Sequence, residues 1–112
     1  MRSLFFRPSA PEISVDDLAV ALGDRRVHVI DVRERSEFVS GRVPGAVLVP
    51  LRELPRRIDE VPTDRPIAVI CASGNRSLTA TRFLLDRGIA DASSVAGGTS
   101  AWARSGRPLD RG

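Results

Sequence analysis

Three short, almost wholly apolar runs constrain this chain more than any other feature: Val27-His28-Val29-Ile30-Asp31-Val32, Ala46-Val47-Leu48-Val49 and Ile67-Ala68-Val69-Ile70. A strand with one face in water alternates apolar and polar residues, whereas these runs read as strands buried on both faces. Helical patterns lie between them. Ser14 can cap a helix whose first turn holds Asp16 and Asp17, whose apolar face is Leu18, Ala21 and Leu22, and whose stop is Gly23. A short helix is expected from Glu34 to Ser40, ending near Gly41. Another is expected over Leu51 to Val61, regular only from about Pro55, which has no N–H to donate. A fourth runs from Ser77 to Arg87 and stops at Gly88. Ser93-Ser94-Val95-Ala96 reads as a last short strand, and Gly97-Gly98 turns the chain into a short helix around Ala101-Trp102-Ala103. Strands alternating with helices predict an α/β domain with a mainly parallel sheet covered on both faces. Such sheets take ligands beyond the carboxyl ends of their strands.

The chain has 112 residues, enough for one domain with a single core. Residues 1–11, with Pro8 and Pro11, are expected to form an N-terminal arm, extended or packed as an edge element, and residues 12–112 the domain. No apolar run is long enough to span a bilayer, and Leu4-Phe5-Phe6 is too short for a signal-peptide core. A single cysteine gives no internal disulfide framework, so a cytoplasmic setting that keeps a thiol reduced is expected. The net charge is only +3. All 17 basic residues are arginine and are interleaved with acids, as in Arg33-Glu34-Arg35-Ser36-Glu37. With no basic tract and 4% aromatics, a nucleic-acid surface is not expected.

The chemistry concentrates at Cys71-Ala72-Ser73-Gly74-Asn75-Arg76-Ser77, between the strand 67–70 and the following helix. Backbone N–H groups at a helix start are unpaired, and the helix dipole places partial positive charge there. Gly74 permits the tight curvature that turns successive N–H groups inward as an anion-binding nest. Arg76 adds a permanent cation. A free thiol ionises near pH ~8.5, and this setting lowers that value. The pattern therefore reads as a thiolate nucleophile in an anion-binding cradle, against the plainer alternative of a small buried apolar cysteine at a strand end. Asp31 ends another strand on the same side, where it either orients Arg76 or the loop, or pairs with Arg33 or another arginine. His28 lies inside a strand and reads as a packed or edge residue, and Trp102 as a packing residue that closes the end of the sheet. One cysteine and one histidine are too few soft ligands for a metal site, so no metal or cofactor is expected.

Three separated segments resemble the rhodanese (sulfurtransferase) family. VIDVRERSEFVSGRVPGAVLVP, residues 29–50, is similar to its amino-terminal signature, with Arg42 where the family usually has histidine and Val43 where it has isoleucine. CASGNRS, residues 71–77, fits the active loop Cys-x-x-Gly-x-Arg-Ser. VAGGTSAWARSGRPL, residues 95–109, resembles the carboxy-terminal Gly-Gly-x-x-Ala-Trp…Gly-x-Pro signature. Their order and spacing cover most of residues 12–109, and the arm falls outside. The resemblance implies a small three-layer domain with a central, mainly parallel five-stranded sheet. It also implies transfer of sulfane sulfur, held as a cysteine persulfide, from a donor such as thiosulfate to a thiol or sulfur-carrier acceptor.

The residues suit that chemistry. Cys71 is the expected nucleophile, and Arg76 a forked donor to the oxyanion part of the sulfur donor. The N–H groups of Ala72, Ser73, Gly74, Asn75 and Ser77 are expected to bind substrate and stabilise the persulfide, with Asp31 and Arg33 in support. Two half-reactions through a covalent intermediate predict ping-pong kinetics. Four residues separate Cys71 from Arg76, where cysteine phosphatases of related fold have five. The shorter ring suits a sulfur rather than a tetrahedral phosphate or arsenate, which ranks phosphatase and arsenate reductase chemistry last. The rival from another class is a non-catalytic or sulfide- and redox-sensing regulatory module. No membrane partner is expected, and the expected state is a monomer or weak dimer.

Overall fold

The computed structural model describes residues 9–112. Residues 1–8, most of the expected arm, lie outside it. Among the described residues the strands are β1 (Glu12–Ile13), β2 (His28–Asp31), β3 (Val47–Leu48), β4 (Ile67–Ile70) and β5 (Ala92–Val95). The α-helices are α1 (Val15–Gly23), α2 (Arg35–Ser40), α3 (Asn75–Asp86) and α4 (Gly98–Arg104), and a 3-10 helical segment occupies Leu51–Glu60. The strands form one sheet in the order β1-β5-β4-β2-β3, every neighbouring pair parallel.

Side chains alternate across each strand, so one strand feeds two layers. On one face Ile30, Val32, Ile67, Val69, Cys71 and Ala92 pack with Leu54 of the 3-10 segment and Ala80 and Leu84 of α3. On the other face Val27, Val29, Ala68, Ile70 and Val95 pack with Leu18 of α1 and Trp102 of α4. That is why β4 shows no polar alternation: all four of its residues are buried. β4 lies in the middle of the sheet, so its carboxyl end, where Cys71 follows, is flanked by β2 and β5.

Four elements depart from the expectation. Glu12–Ile13 is a strand, joined to β5 when Ser94 N–H donates to Pro11 O at 2.8 Å. Two residues beginning with glutamate carry no periodic signal. The run 46–49 is an edge strand rather than a buried one, with Val47 52% exposed, because β3 has a partner only on the β2 side. Residues 51–60 wind as a 3-10 helix from Leu51, with Pro55 inside and a break at Arg57, in place of an α-helix starting near Pro55. The spacing of three brings Leu51 and Leu54 to the same face, where Leu54 is fully buried. Finally, α3 begins at Asn75, two residues before the expected start.

Candidate active site

The early start of α3 makes the site. Asn75, Arg76 and Ser77 form its first turn, and Gly74 is the cap at φ +105, a left-handed conformation that glycine takes without steric cost. The chain leaves β4 at Cys71 and curls back on itself within three residues. Two N–H groups converge on the Cys71 sulfur, from Gly74 at 3.1 Å and Ser77 at 3.3 Å. The Ser77 hydroxyl lies 3.4 Å from the sulfur. Burial pushes the Cys71 thiol up. The hydrogen bonds from the Ser77 hydroxyl and from the N–H groups of Ser77 and Gly74 lead the effects that outweigh it and bring it below the ordinary thiol range. The nest is therefore built on Gly74 and Ser77. Ala72, Ser73 and Asn75 belong to the loop, but among the described hydrogen bonds they give the sulfur none.

A second layer holds the loop in place. Thr99 N–H donates to Cys71 O at 2.8 Å and Ser100 N–H to Ala72 O at 3.0 Å, so the start of α4 carries the carbonyls on the back of the loop. The Thr99 hydroxyl adds a bond to Cys71 O at 3.2 Å. This approach is close enough to require Gly98. A Cβ there would sit 2.3 Å from Cys71 O and 2.6 Å from Ala72 O.

Arg76 is held by Glu37 of α2. Its two terminal nitrogens donate to the two carboxylate oxygens at 2.8 and 2.9 Å, a fork-to-fork pair. The Arg76 hydrogen bonds hold the Glu37 carboxyl well below the usual range, at about 2. Glu37 is itself oriented by the N–H of Glu34, which donates to its Oε1 at 3.0 Å. Asp31 does not bond to Arg76. It pairs with Arg33, at 2.8 Å from Nη2 to Oδ2, and both groups are buried. Arg33 Nη2 also donates to Gly41 O at 2.8 Å and Nη1 to Glu37 O at 3.3 Å. Arg33 thereby ties β2 to the middle and the carboxyl end of α2 and fixes the helix that carries Glu37.

The remaining candidates lie apart. His28 bonds to Asp64 at 2.7 Å and pairs in register with Ile67, at the opposite end of the sheet from Cys71. Trp102 is 4% exposed among Leu18, Val43 and Ile70, and its indole N–H donates to Pro108 O at 2.8 Å, so it packs rather than lining the loop. A hollow of about 600 Å³, lined by residues including Ile13, Val27, Pro66 and Ala92, also lies at the amino ends of the strands and shares no residue with the loop.

Sequence reasoning missed two contributors. Glu37 is separated from Arg76 by 39 positions, and its only local signal is its place three residues after Glu34 at a helix start. Ser94 lies in a strand with no chemical motif, yet its hydroxyl is 2.7 Å from that of Ser77.

The family model for the rhodanese-like domain matches residues 14–105. The chain is 35% identical over 99 residues to a sulfurtransferase of Allochromatium vinosum, covering 88% of this chain and 92% of the relative. It is 32% identical over 94 residues to the thiosulfate sulfurtransferase GlpE of Shewanella oneidensis, covering 84% and 93% respectively. The crystal structure of a rhodanese-related protein from Thermoplasma volcanium superposes with a TM-score of 0.82 at 32% identity, covering 94% of this chain and 98% of that one.

Proposed function

The chain belongs to the rhodanese-like domain family, and from that premise we propose that it is a sulfurtransferase working through a persulfide on Cys71. The observation that carries the reading is the convergence of the Gly74 and Ser77 N–H groups on the Cys71 sulfur. Fixed donors aimed at one sulfur stabilise its anionic form without reorganising during the reaction. In the first half-reaction the Cys71 thiolate attacks the outer sulfur of thiosulfate or a related persulfide donor. A Cys71–sulfur bond forms, the donor's sulfur–sulfur bond breaks, and sulfite or the donor thiolate leaves with the electron pair. In the second, a thiol or other nucleophilic acceptor, as its anion, attacks the outer sulfur and the pair returns to Cys71. No net oxidant, reductant or cofactor enters.

Arg76 orients the oxyanion end of the donor. Two of its five N–H groups are committed to Glu37, leaving others for an anion. The pairing offsets its charge, so recognition rests on direction as well as on net attraction. The reading extends to a cytoplasmic setting, where Cys71 stays reduced, and to a monomer or weak dimer of one domain with the expected arm before residue 12. Among the described residues no helix is long and apolar enough to cross a membrane.

Cys71→Ser tests the proposal. A hydroxyl forms no persulfide, so sulfur transfer from thiosulfate to cyanide should vanish while the circular dichroism spectrum stays unchanged. Mass spectrometry of the thiosulfate-treated protein should find one added sulfur confined to the Cys71 peptide. Near-normal transfer by the serine variant would overturn the assignment. An adduct that forms but does not turn over would point to the sensing module.

A further inference from the structure

We propose that Ser94, on β5, is a positioning residue that commits the hydroxyl hydrogen of Ser77 to the Cys71 sulfur. The inference rests on Cys71 being the sulfur-transfer nucleophile, and it adds a residue that lies outside the active loop. Ser94 and Ser77 are both fully buried. Ser94 occupies the side of β5 that faces α3, the side on which Ala92 packs with Val69 and Leu84. A hydroxyl in such a layer is costly unless it is hydrogen-bonded. Ser94 meets that need through one described side-chain contact, the 2.7 Å approach to Ser77 Oγ. Ser77 Oγ in turn lies 3.4 Å from Cys71 Sγ. Thr81, one turn further along α3, spends its hydroxyl on Ser77 O at 2.7 Å and does not compete.

Counting hydrogens along this row gives it a direction. Three atoms, Cys71 Sγ, Ser77 Oγ and Ser94 Oγ, are joined by two links. With a thiol there are three hydrogens for two links, and one is left over in a buried space. With a thiolate there are two. Ser94 then donates to Ser77, and Ser77 donates to the sulfur. The row therefore fits the charged sulfur better than the neutral one. It acts in both half-reactions, because the thiolate is the nucleophile in the first and the leaving group in the second. In the persulfide the charge moves to the outer sulfur and the inner one becomes a weak acceptor. The Ser77 hydrogen is thus held where the electron pair returns when the acceptor attacks.

By donating to Ser77, Ser94 closes the direction toward β5 to the Ser77 hydrogen, which is left the sulfur and the carbonyl one turn back, that of Ser73. The same bond polarises the Ser77 O–H, and the thiolate, as the charged acceptor, takes the hydrogen. Without Ser94 that polarisation is lost and the hydrogen gains a third direction. The charged groups flanking the loop are Arg76, paired with Glu37, and the closed Asp31–Arg33 pair. Neither bonds to Ser77 or Ser94 side chains, so a substitution at Ser94 leaves the local charges in place.

The test is the pH dependence of Cys71 alkylation by iodoacetamide, which reads thiolate directly and requires no sulfur donor. Ser94→Ala should move the midpoint upward by roughly half to one pH unit, and Ser94→Thr, which keeps the hydroxyl on a strand, should restore it. In a Ser77→Ala background, Ser94→Ala should have no further effect, because Ser94 acts only through Ser77. A folded Ser94→Ala protein that titrates like the parent would overturn the proposal, as would an undiminished shift in the Ser77→Ala background. Should Ser94→Ala fail to fold, Ser94→Cys replaces the hydroxyl with a weaker donor of similar shape, and alkylation is then counted on the Cys71 peptide alone by mass spectrometry. The variant is expected to shift the midpoint the same way, and an unchanged midpoint would again overturn the proposal. Failure of either kind leaves sulfur transfer untouched, and loss of the sulfur-transfer reading leaves the titration interpretable.

Discussion

Arg76 reaches the active loop already engaged, and its partner defines what can be measured at the scale of single residues. Removing the guanidinium deletes a charge-assisted bond to an anionic donor, worth about 1.5–3 kcal/mol. Arg76→Ala should therefore lower kcat/KM for thiosulfate by roughly ten- to a hundred-fold, and for a neutral organic polysulfide much less. Equal losses with both donors would remove Arg76 from donor recognition. Glu37 makes a separate prediction about acid. Its carboxyl ionises at about 2 in the folded protein, below the ordinary range. The stabilisation is therefore complete above the ordinary carboxylate value of about 4.5 and is lost as pH falls through the folded value of about 2. Urea unfolding across that window should show Glu37→Gln losing less stability with acid than the parent does. Parallel curves would show that the pair contributes nothing, as many exposed pairs do. Cys71 and Arg76 were legible because one contiguous motif holds both. Glu37 and Ser94 were not, because their link to the loop runs through space, across 39 and 17 positions.

At the scale of elements, the turn from β4 into α3 and the start of α4 act as one unit. Sequence reasoning located the strand, the loop and the helix behind it, but began the helix at Ser77. Asn75 and Arg76 show no apolar periodicity, so nothing local marks them as the first turn. In the sequence the Gly97-Gly98 pair reads as a turn, and in the fold its larger purpose is clearance. Gly98 lets α4 present the N–H groups of Thr99 and Ser100 to the carbonyls of Cys71 and Ala72. Gly98→Ala places a methyl 2.3 Å from a backbone oxygen at φ +58. We expect it to cost about 1–3 kcal/mol or more in urea unfolding, and to lower sulfur transfer further by shifting the loop. Gly23→Ala, with open space at that position, serves as the control. Normal stability and activity in Gly98→Ala would show that α4 does not position the loop.

At the scale of the whole molecule, the described residues form a single sheet with one core layer on each side, and the Cα radius of gyration is 13.2 Å. A compact chain of this length is expected at about 13 Å. Trp102 lies in the layer on one face and Cys71 in the layer on the other, with β4 contributing to both. The layers should therefore unfold together. Trp102 fluorescence and Cys71 alkylation, followed through one urea titration, are expected to give coincident midpoints. A separation between them would mean that the active loop opens before the core.

The sequence by itself determined the fold class, because mostly apolar strands alternating with amphipathic helices are best buried in a parallel sheet covered on both faces. It also located the Cys71–Arg76 loop on which the proposed chemistry rests, because that motif is local and contiguous. Tertiary structure alone decided which N–H groups meet the sulfur, which carboxylate meets Arg76, and which hydroxyl lies behind Ser77. Those contacts join β5, α2 and α3, and their geometry is set by how the layers pack. Asp31 shows the boundary between the two: its position at a strand end was visible in the chain, but only packing chose Arg33 over Arg76 as its partner.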